Sequence, residues 1–160
     1  MAKVTVERTI RCNPQEVLAF VLDVRRYSEV DAKIGPIDWV RSDGEVTDFR
    51  FRPRLPGIPG SALKSVSRMR LSPGERVDVT YPPLPQNRLV RRVSTFTASF
   101  VCEPVAGGTR LRRTISIELV PALRWLVEPV LRRTLPGDVE REVSGAKDHL
   151  ERQTDKQGGR

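Results

Sequence analysis

"TRLRRTISIEL", Thr109 to Leu119, alternates with the two-residue period of a half-buried β-strand. Leu111, Ile115, Ile117 and Leu119 share one face, and Arg110, Arg112, Thr114, Ser116 and Glu118 share the other. Arg113 falls on the apolar face. Its guanidinium is always charged, and stripping the partner from a buried charge costs about 3 to 5 kcal/mol. Alternation therefore predicts an inward Arg113 that meets water, a carboxylate of the C-terminal helix (Glu128, Glu140 or Glu142) or a ligand oxygen. These alternatives stay open in the sequence.

Outward from this strand, the chain reads as six more strands: Lys3 to Cys12, Pro36 to Arg41, Val46 to Arg52, Ser61 to Leu71, Arg76 to Tyr81 and Leu89 to Glu103. Between the first two, Asn13 caps a helix, Pro14 suits its first turn, and Val17, Phe20 and Val21 form its apolar side. A second short helix or turn follows around Tyr27 to Lys33. The later connections alternate in kind. "SDGE" (42–45), "SPGE" (72–75) and "VAGG" (105–108) are hairpin turns, whereas "PRLPGIPG" (53–60) and "PPLPQNR" (82–88) are long and proline-rich. In an antiparallel meander every second connection lies at the same end of the sheet. The tight turns thus gather at one end and the long loops at the other, where a binding-site mouth is expected.

After Pro121 the chain turns helical. Pro129 and the Pro136-Gly137 pair predict two pieces, Ala122 to Thr134 and Asp138 to Gln153. Val139, Val143, Ala146 and Leu150 form a narrow apolar stripe on the second piece, a rod of roughly 24 Å that can lie across several strands. The domain is expected over residues 1–153, followed by a polar tail at 154–160.

Composition narrows the function classes. No apolar run is long enough for a membrane span and the start is an alternating strand, so a cytoplasmic protein is the expectation. A single histidine among 160 residues argues against a metal site, and no cofactor motif occurs. Cys12 and Cys102 fall on apolar strand faces as small core residues. The net charge of +8 is spread over outward arginines without an exposed aromatic platform, which reads as a solvated basic face rather than a nucleic-acid site.

The order strand, helix pair, six-strand meander and long helix resembles the α+β helix-grip fold of the START-like (SRPBCC) superfamily. "VTVERTIRCNPQEVLAFVLDVRRY" (4–27), "DWVRSDGEVTDFRFR" (38–52) and "VAGGTRLRRTISIELVP" (105–121) are similar to its polyketide cyclase/dehydrase and lipid-transport family, a likeness running from about Val4 to Arg152. The resemblance implies a seven-stranded curved antiparallel sheet wrapped around the C-terminal helix, with two short helices between strands one and two. It also implies a hydrophobic or aromatic ligand held between sheet and helix. Aromatase/cyclase members carry a serine and, two residues on, an arginine on the fourth strand; here those positions hold Ser67 and Met69. Arg68 has the wrong parity to replace the arginine.

The expected ligand-binding set is Arg113, Ser67, Met69, Phe49, Phe51, Phe96, Phe100, Ile115, Trp125 and Arg8. Arg8 shares its face with Val4, Val6 and Ile10, beside the last strand, and a second arginine there favours an anion. Trp125 and Tyr27 either close the mouth or act as structural anchors. No catalytic constellation is apparent: His149 reads as a surface residue, and Asp23, Asp31 or Asp48 would act as a base only on reaching the pocket. Three functions compete: binding or transport of a small molecule, neutral or anionic; a polyketide cyclase or dehydratase; and a ribosome- or RNA-associated toxin-like protein. A monomer and a homodimer both fit.

Overall fold

The computed structural model describes residues 1–59 and 62–158. Its strands are β1 (Ala2–Ile10), β2 (Ile34–Asp43), β3 (Val46–Pro53), β4 (Ser65–Ser72), β5 (Arg76–Thr80), β6 (Ser94–Val105) and β7 (Gly108–Leu119). They form one antiparallel sheet in the order β1-β7-β6-β5-β4-β3-β2. Helices α1 (Pro14–Leu22) and α2 (Val24–Tyr27) join β1 to β2, α3 (Val90–Val93) precedes β6, and α4 (Pro121–Gly158) ends the described chain. This is the helix-grip arrangement that the resemblance implies.

Local chemistry sets the boundaries. Asn13 caps α1 by accepting a hydrogen bond from the Glu16 amide at 2.8 Å, and Pro14 follows at the first helical position. Gly108 turns β6 into β7 at φ 141°, and a Cβ there would come within 2.1 Å of the Ile10 carbonyl oxygen. Only glycine lets β1 approach this closely.

Three expectations need correction. Leu89 to Val93 is not the start of a strand: Val90–Val93 is a helical turn, and β6 begins at Ser94. Residues 62–64 likewise precede the fourth strand, while Ser61, its expected start, lies outside the described residues. The C-terminal helix is one piece rather than two. Pro129 and Pro136 both sit on its exposed face, and so do Trp125 and Arg132, whose carbonyls lose their amide donors to these prolines. Water can serve carbonyls on that side, so neither proline divides the helix. The buried stripe then extends back to Leu131 and Leu135, and it carries Asp138 and Glu142 as well as the expected Val139, Val143, Ala146 and Leu150.

Helix α4 lies chiefly on β1 and β7, and α1 on β6 and β5. Together they cover part of one sheet face, the rest of which lines a cavity. Among the described residues no helix is long and apolar enough to cross a membrane.

Candidate functional site

A cavity of about 430 Å³ opens between the sheet and the helices. Its floor is made by alternate residues of five strands: Phe49 and Phe51 of β3, Ser65, Ser67 and Met69 of β4, Val79 of β5, Phe96 and Phe100 of β6, and Arg113, Ile115, Ile117 and Leu119 of β7. The register aligns them, since Phe49 faces Ser67, Phe51 faces Ser65, Phe96 faces Ile117 and Phe100 faces Arg113. The outer wall comes from the two long loops and the start of α4, through Leu55, Ile58, Leu63, Val90, Leu123 and Val127. The mouth is thus at the long-loop end.

Eight of the ten expected residues line this cavity: Arg113, Ser67, Met69, Phe49, Phe51, Phe96, Phe100 and Ile115. Two do not. Trp125 is 74% exposed and turned away from the cavity, because its position on α4 is off the buried stripe. Arg8 keeps the expected parity but reaches α4, where it pairs with Glu140 outside the cavity. Nor does Tyr27 close the mouth. It is buried at the inner end, edge-on to Phe20 and Phe100 at 5.3 and 5.5 Å.

The inner end is a charged cluster. Arg113 Nε donates to Glu142 Oε2 at 2.9 Å, and Tyr27 Oη donates to the same oxygen at 2.5 Å. Lys33 Nζ donates to Glu142 Oε1 at 2.8 Å and Asp138 Oδ2 at 2.6 Å, and lies 2.8 Å from Asp31 Oδ1. Arg113 Nη2 is 3.8 Å from Asp31 Oδ2, and its guanidinium carbon stands 3.9 Å from the centre of the Phe100 ring. Tyr27, Asp31, Lys33 and Arg113 touch the cavity, with Glu142 and Asp138 behind them on α4. Arg113 Nη1 is buried and has no hydrogen-bond partner.

Burial and charge set the protonation of this cluster. Burial and the Glu142 charge push Asp31 up to about 6, against the pull of Lys33 and Arg113. Burial works against the Glu142 charge too, but Arg113 and Lys33 outweigh it and hold that carboxyl down at about 2. Burial and then Glu142 hold the Tyr27 hydroxyl well above its ordinary value, so it remains a donor. With every group ionised, Asp31, Asp138 and Glu142 outnumber Lys33 and Arg113 by one charge. Of the partners the sequence leaves open for Arg113, the structure supplies the helix carboxylate Glu142, with Asp31 beside it.

Lys33 and Asp138 were missed by sequence reasoning, and Asp31 was left conditional. Glu142 carried a signal, standing next to Val143 and three residues from Val139 on the helical stripe. Lys33 and Asp31 carried none, since the segment between α2 and β2 has no periodicity. His149 is half-buried rather than a surface residue, stacked on Phe20 with ring centres 4.5 Å apart. Asp23 caps α2, and Asp48 pairs with Arg68 at 2.8 Å, away from the cavity. Cys12 and Cys102 are free and buried, and burial raises their thiols to about 11 and about 12.

The model of the family described as polyketide cyclase / dehydrase and lipid transport matches residues 1–151. No curated protein matches the chain in sequence. Solved structures do match. TTHA0849 from Thermus thermophilus has 17% identity and a TM-score of 0.73, with 92% of this chain and 96% of that chain covered. The aromatase/cyclase Zhui from Streptomyces sp. R1128 has 14% identity and a TM-score of 0.70, covering 95% and 94%. The di-domain ARO/CYC StfQ of the steffimycin biosynthetic pathway has 14% identity and a TM-score of 0.73, covering 96% of this chain but 52% of that one. At these identities the likeness shows the fold alone.

Proposed function

This chain belongs to the polyketide cyclase / dehydrase and lipid transport family, and we propose that it binds a hydrophobic or aromatic small molecule whose one polar end is a neutral oxygen acceptor, such as a ketone or a phenol. One observation carries this reading: an apolar cavity of about 430 Å³ ends at a buried guanidinium whose Nη1 lacks a partner. An unmade hydrogen bond of a buried donor costs about 1 to 3 kcal/mol, and a ligand oxygen that reaches that nitrogen as the side chains covering it shift would recover it. The volume suits a small ligand, and apolar walls with a few convergent polar groups are the usual makeup of such sites. Charge balance favours a neutral ligand over an anion, because Glu142 and Asp31 already offset Arg113. Phe49, Phe51, Met69, Phe96 and Ile115 would hold the apolar body.

The test is a thermal-shift and native mass spectrometry screen with matched aromatic ketones, carboxylates and hydrocarbons. A ligand at one hundred times its Kd stabilises by about 2.7 kcal/mol, which a scan resolves. Arg113→Met is expected to weaken the ketone by about 1.5 to 3 kcal/mol and to leave the hydrocarbon bound. Absence of any adduct or shift across the panel counts against binding altogether, and preference for the carboxylate counts against the neutral ligand.

A second reading, polyketide cyclisation or dehydration, is favoured by Asp31. A carboxyl raised to about 6 on the cavity wall can take or give a proton near neutrality, with Arg113 beside it to hold an enolate oxygen. Ser67 supports this reading and Met69 weakens it. Turnover of a poly-β-ketone mimic that vanishes in Asp31→Asn and survives in Arg110→Gln would establish it.

A further inference from the structure

We propose that the mouth end of the molecule docks on the surface of an anionic lipid bilayer. The inference rests on the rim of the cavity and needs no particular ligand inside it. The exposed large hydrophobic side chains among the described residues are Met1, Leu63, Leu84, Leu89, Trp125 and Leu126, between 52% and 74% exposed. All belong to one end. Leu63 is in the β3–β4 loop, Leu84 and Leu89 in the β5–β6 connection, and Trp125 and Leu126 on the first turns of α4. Each of these segments also contributes residues to the mouth of the cavity. The N-terminal ammonium lies 2.9 Å from Glu128 of α4, which brings Met1 to the same end.

The segments that ring the mouth are basic, with Glu128 just beyond them on α4. Residues 53–64, 81–94 and 120–127 contain no aspartate or glutamate, and they carry Arg54, Lys64, Arg88, Arg91, Arg92 and Arg124. Among the described residues, Arg54, Arg88, Arg91 and Arg92 form no ion pair with a carboxylate, although all four are exposed. At the tight-turn end acidic and basic side chains are mixed: Arg11 pairs with Glu151 and Asp155, Arg76 with Asp78, and Arg110 with Glu103, while Arg41 and Arg70 are exposed with no carboxylate partner among the described residues. The mouth therefore carries surplus positive charge.

Apolar side chains on three separate segments, interleaved with unpaired arginines and including a tryptophan, match the interface of a bilayer. Leucines and an indole can enter the acyl boundary while guanidinium groups meet lipid phosphates. A protein partner of acidic character would be expected to fill a shaped groove, whereas these side chains stand on two loops and the first turns of α4 around an opening. Docked in this way, the mouth would face the membrane, and an apolar molecule could pass between bilayer and cavity without crossing water.

Vesicle co-sedimentation of the full chain tests this, with phosphatidylcholine vesicles alone and with about one third phosphatidylglycerol. At low salt we expect partitioning onto the anionic vesicles only, falling as salt is raised. Arg88→Gln/Arg91→Gln/Arg92→Gln should reduce it roughly 100-fold, at about one charge-lipid interaction per arginine. A control of equal charge change at the other end, Arg11→Gln/Arg76→Gln/Arg110→Gln, should reduce it less than tenfold. In a Trp39→Phe chain, Trp125 emission should shift to the blue on the anionic vesicles. Equal loss in the two triple variants, an unmoved Trp125 spectrum, or retention by acidic proteins without partitioning onto vesicles would each overturn the proposal. Ligand binding in the cavity is measured separately in detergent-free solution, so failure there leaves this outcome readable.

Discussion

At the tight-turn end of the sheet, α1 lays Val17, Leu18, Phe20 and Val21 over β5 and β6, beside Ile10, Val77, Leu111 and the α4 stripe. At the long-loop end the same strands and the same helix run on, but no second helix is laid between them, and Phe49, Phe51, Met69 and Ile117 border a cavity instead. The connection is what differs: a capped helix returns the chain at one end, and proline-rich loops only ring the sheet at the other. The charge differs too: acidic and basic side chains are mixed at the closed end, whereas the long loops of the open end carry arginines and a lysine with no aspartate or glutamate. Side chains fill the space where α1 packs, and the open end is left with a cavity. Between the two ends sits the Glu142 cluster, which closes the cavity from within.

That contrast can be broken most directly at the cluster. Glu142→Ala removes the carboxylate that Arg113 and Lys33 both bind, leaving Arg113 only Asp31 at 3.8 Å, and is expected to lower unfolding free energy by about 3 to 5 kcal/mol, measured by denaturant titration. A loss under 1 kcal/mol would mean that water already serves those cations.

A paired truncation sharpens the difference between the ends. Leu18→Ala empties a filled site and should cost about 4 kcal/mol; Met69→Ala widens an existing cavity and should cost about 2 kcal/mol. Equal losses would show that the open end is packed as firmly as the closed one.

The pH dependence of Asp31 comes next in size. Its carboxyl titrates near 6 in the folded chain and near 3.8 when unfolded, so the folded chain binds the proton more tightly. The ionised form therefore costs stability above about pH 6, and that cost is relieved as pH falls toward 3.8. Between pH 7 and pH 4 the wild type should gain on the order of 2 kcal/mol relative to Asp31→Asn, in denaturant titrations at both values. Glu142 runs the other way: its contribution is whole above 4.5 and is lost as pH falls toward about 2. A flat difference between the two proteins would place Asp31 in wetter surroundings than its 3% exposure implies.

The smallest effect belongs to the rim. Trp125→Ala should change stability by no more than about 0.5 kcal/mol, because the side chain is 74% exposed, and should leave the melting temperature within error. A larger loss would make Trp125 a structural anchor and count against a free apolar rim.

Much of this could be read in advance from local pattern. Alternation in "TRLRRTISIEL" assigned Arg113 to the interior, where it is 4% exposed, and the same reasoning put the phenylalanines of β3 and β6 on the cavity face. Turn chemistry separated the two ends of the sheet. These are properties of residues one or two apart, and side-chain parity in a strand holds whatever the rest of the chain does. The partners of Arg113 are of another kind. Lys33 reaches Glu142 across 109 residues and Tyr27 reaches it across 115, contacts that exist only once α4 has docked on β1 and β7. The same docking turned Arg8 toward Glu140 and Trp125 toward solvent, and it kept α4 whole by leaving Pro129 and Pro136 on the wet side. The sequence by itself determined which residues face inward and where the chain turns, because the strand period and turn conformations are local. Only the tertiary structure decided which charges meet and which half of the sheet stays uncovered, because both depend on where one helix docks on a seven-stranded sheet.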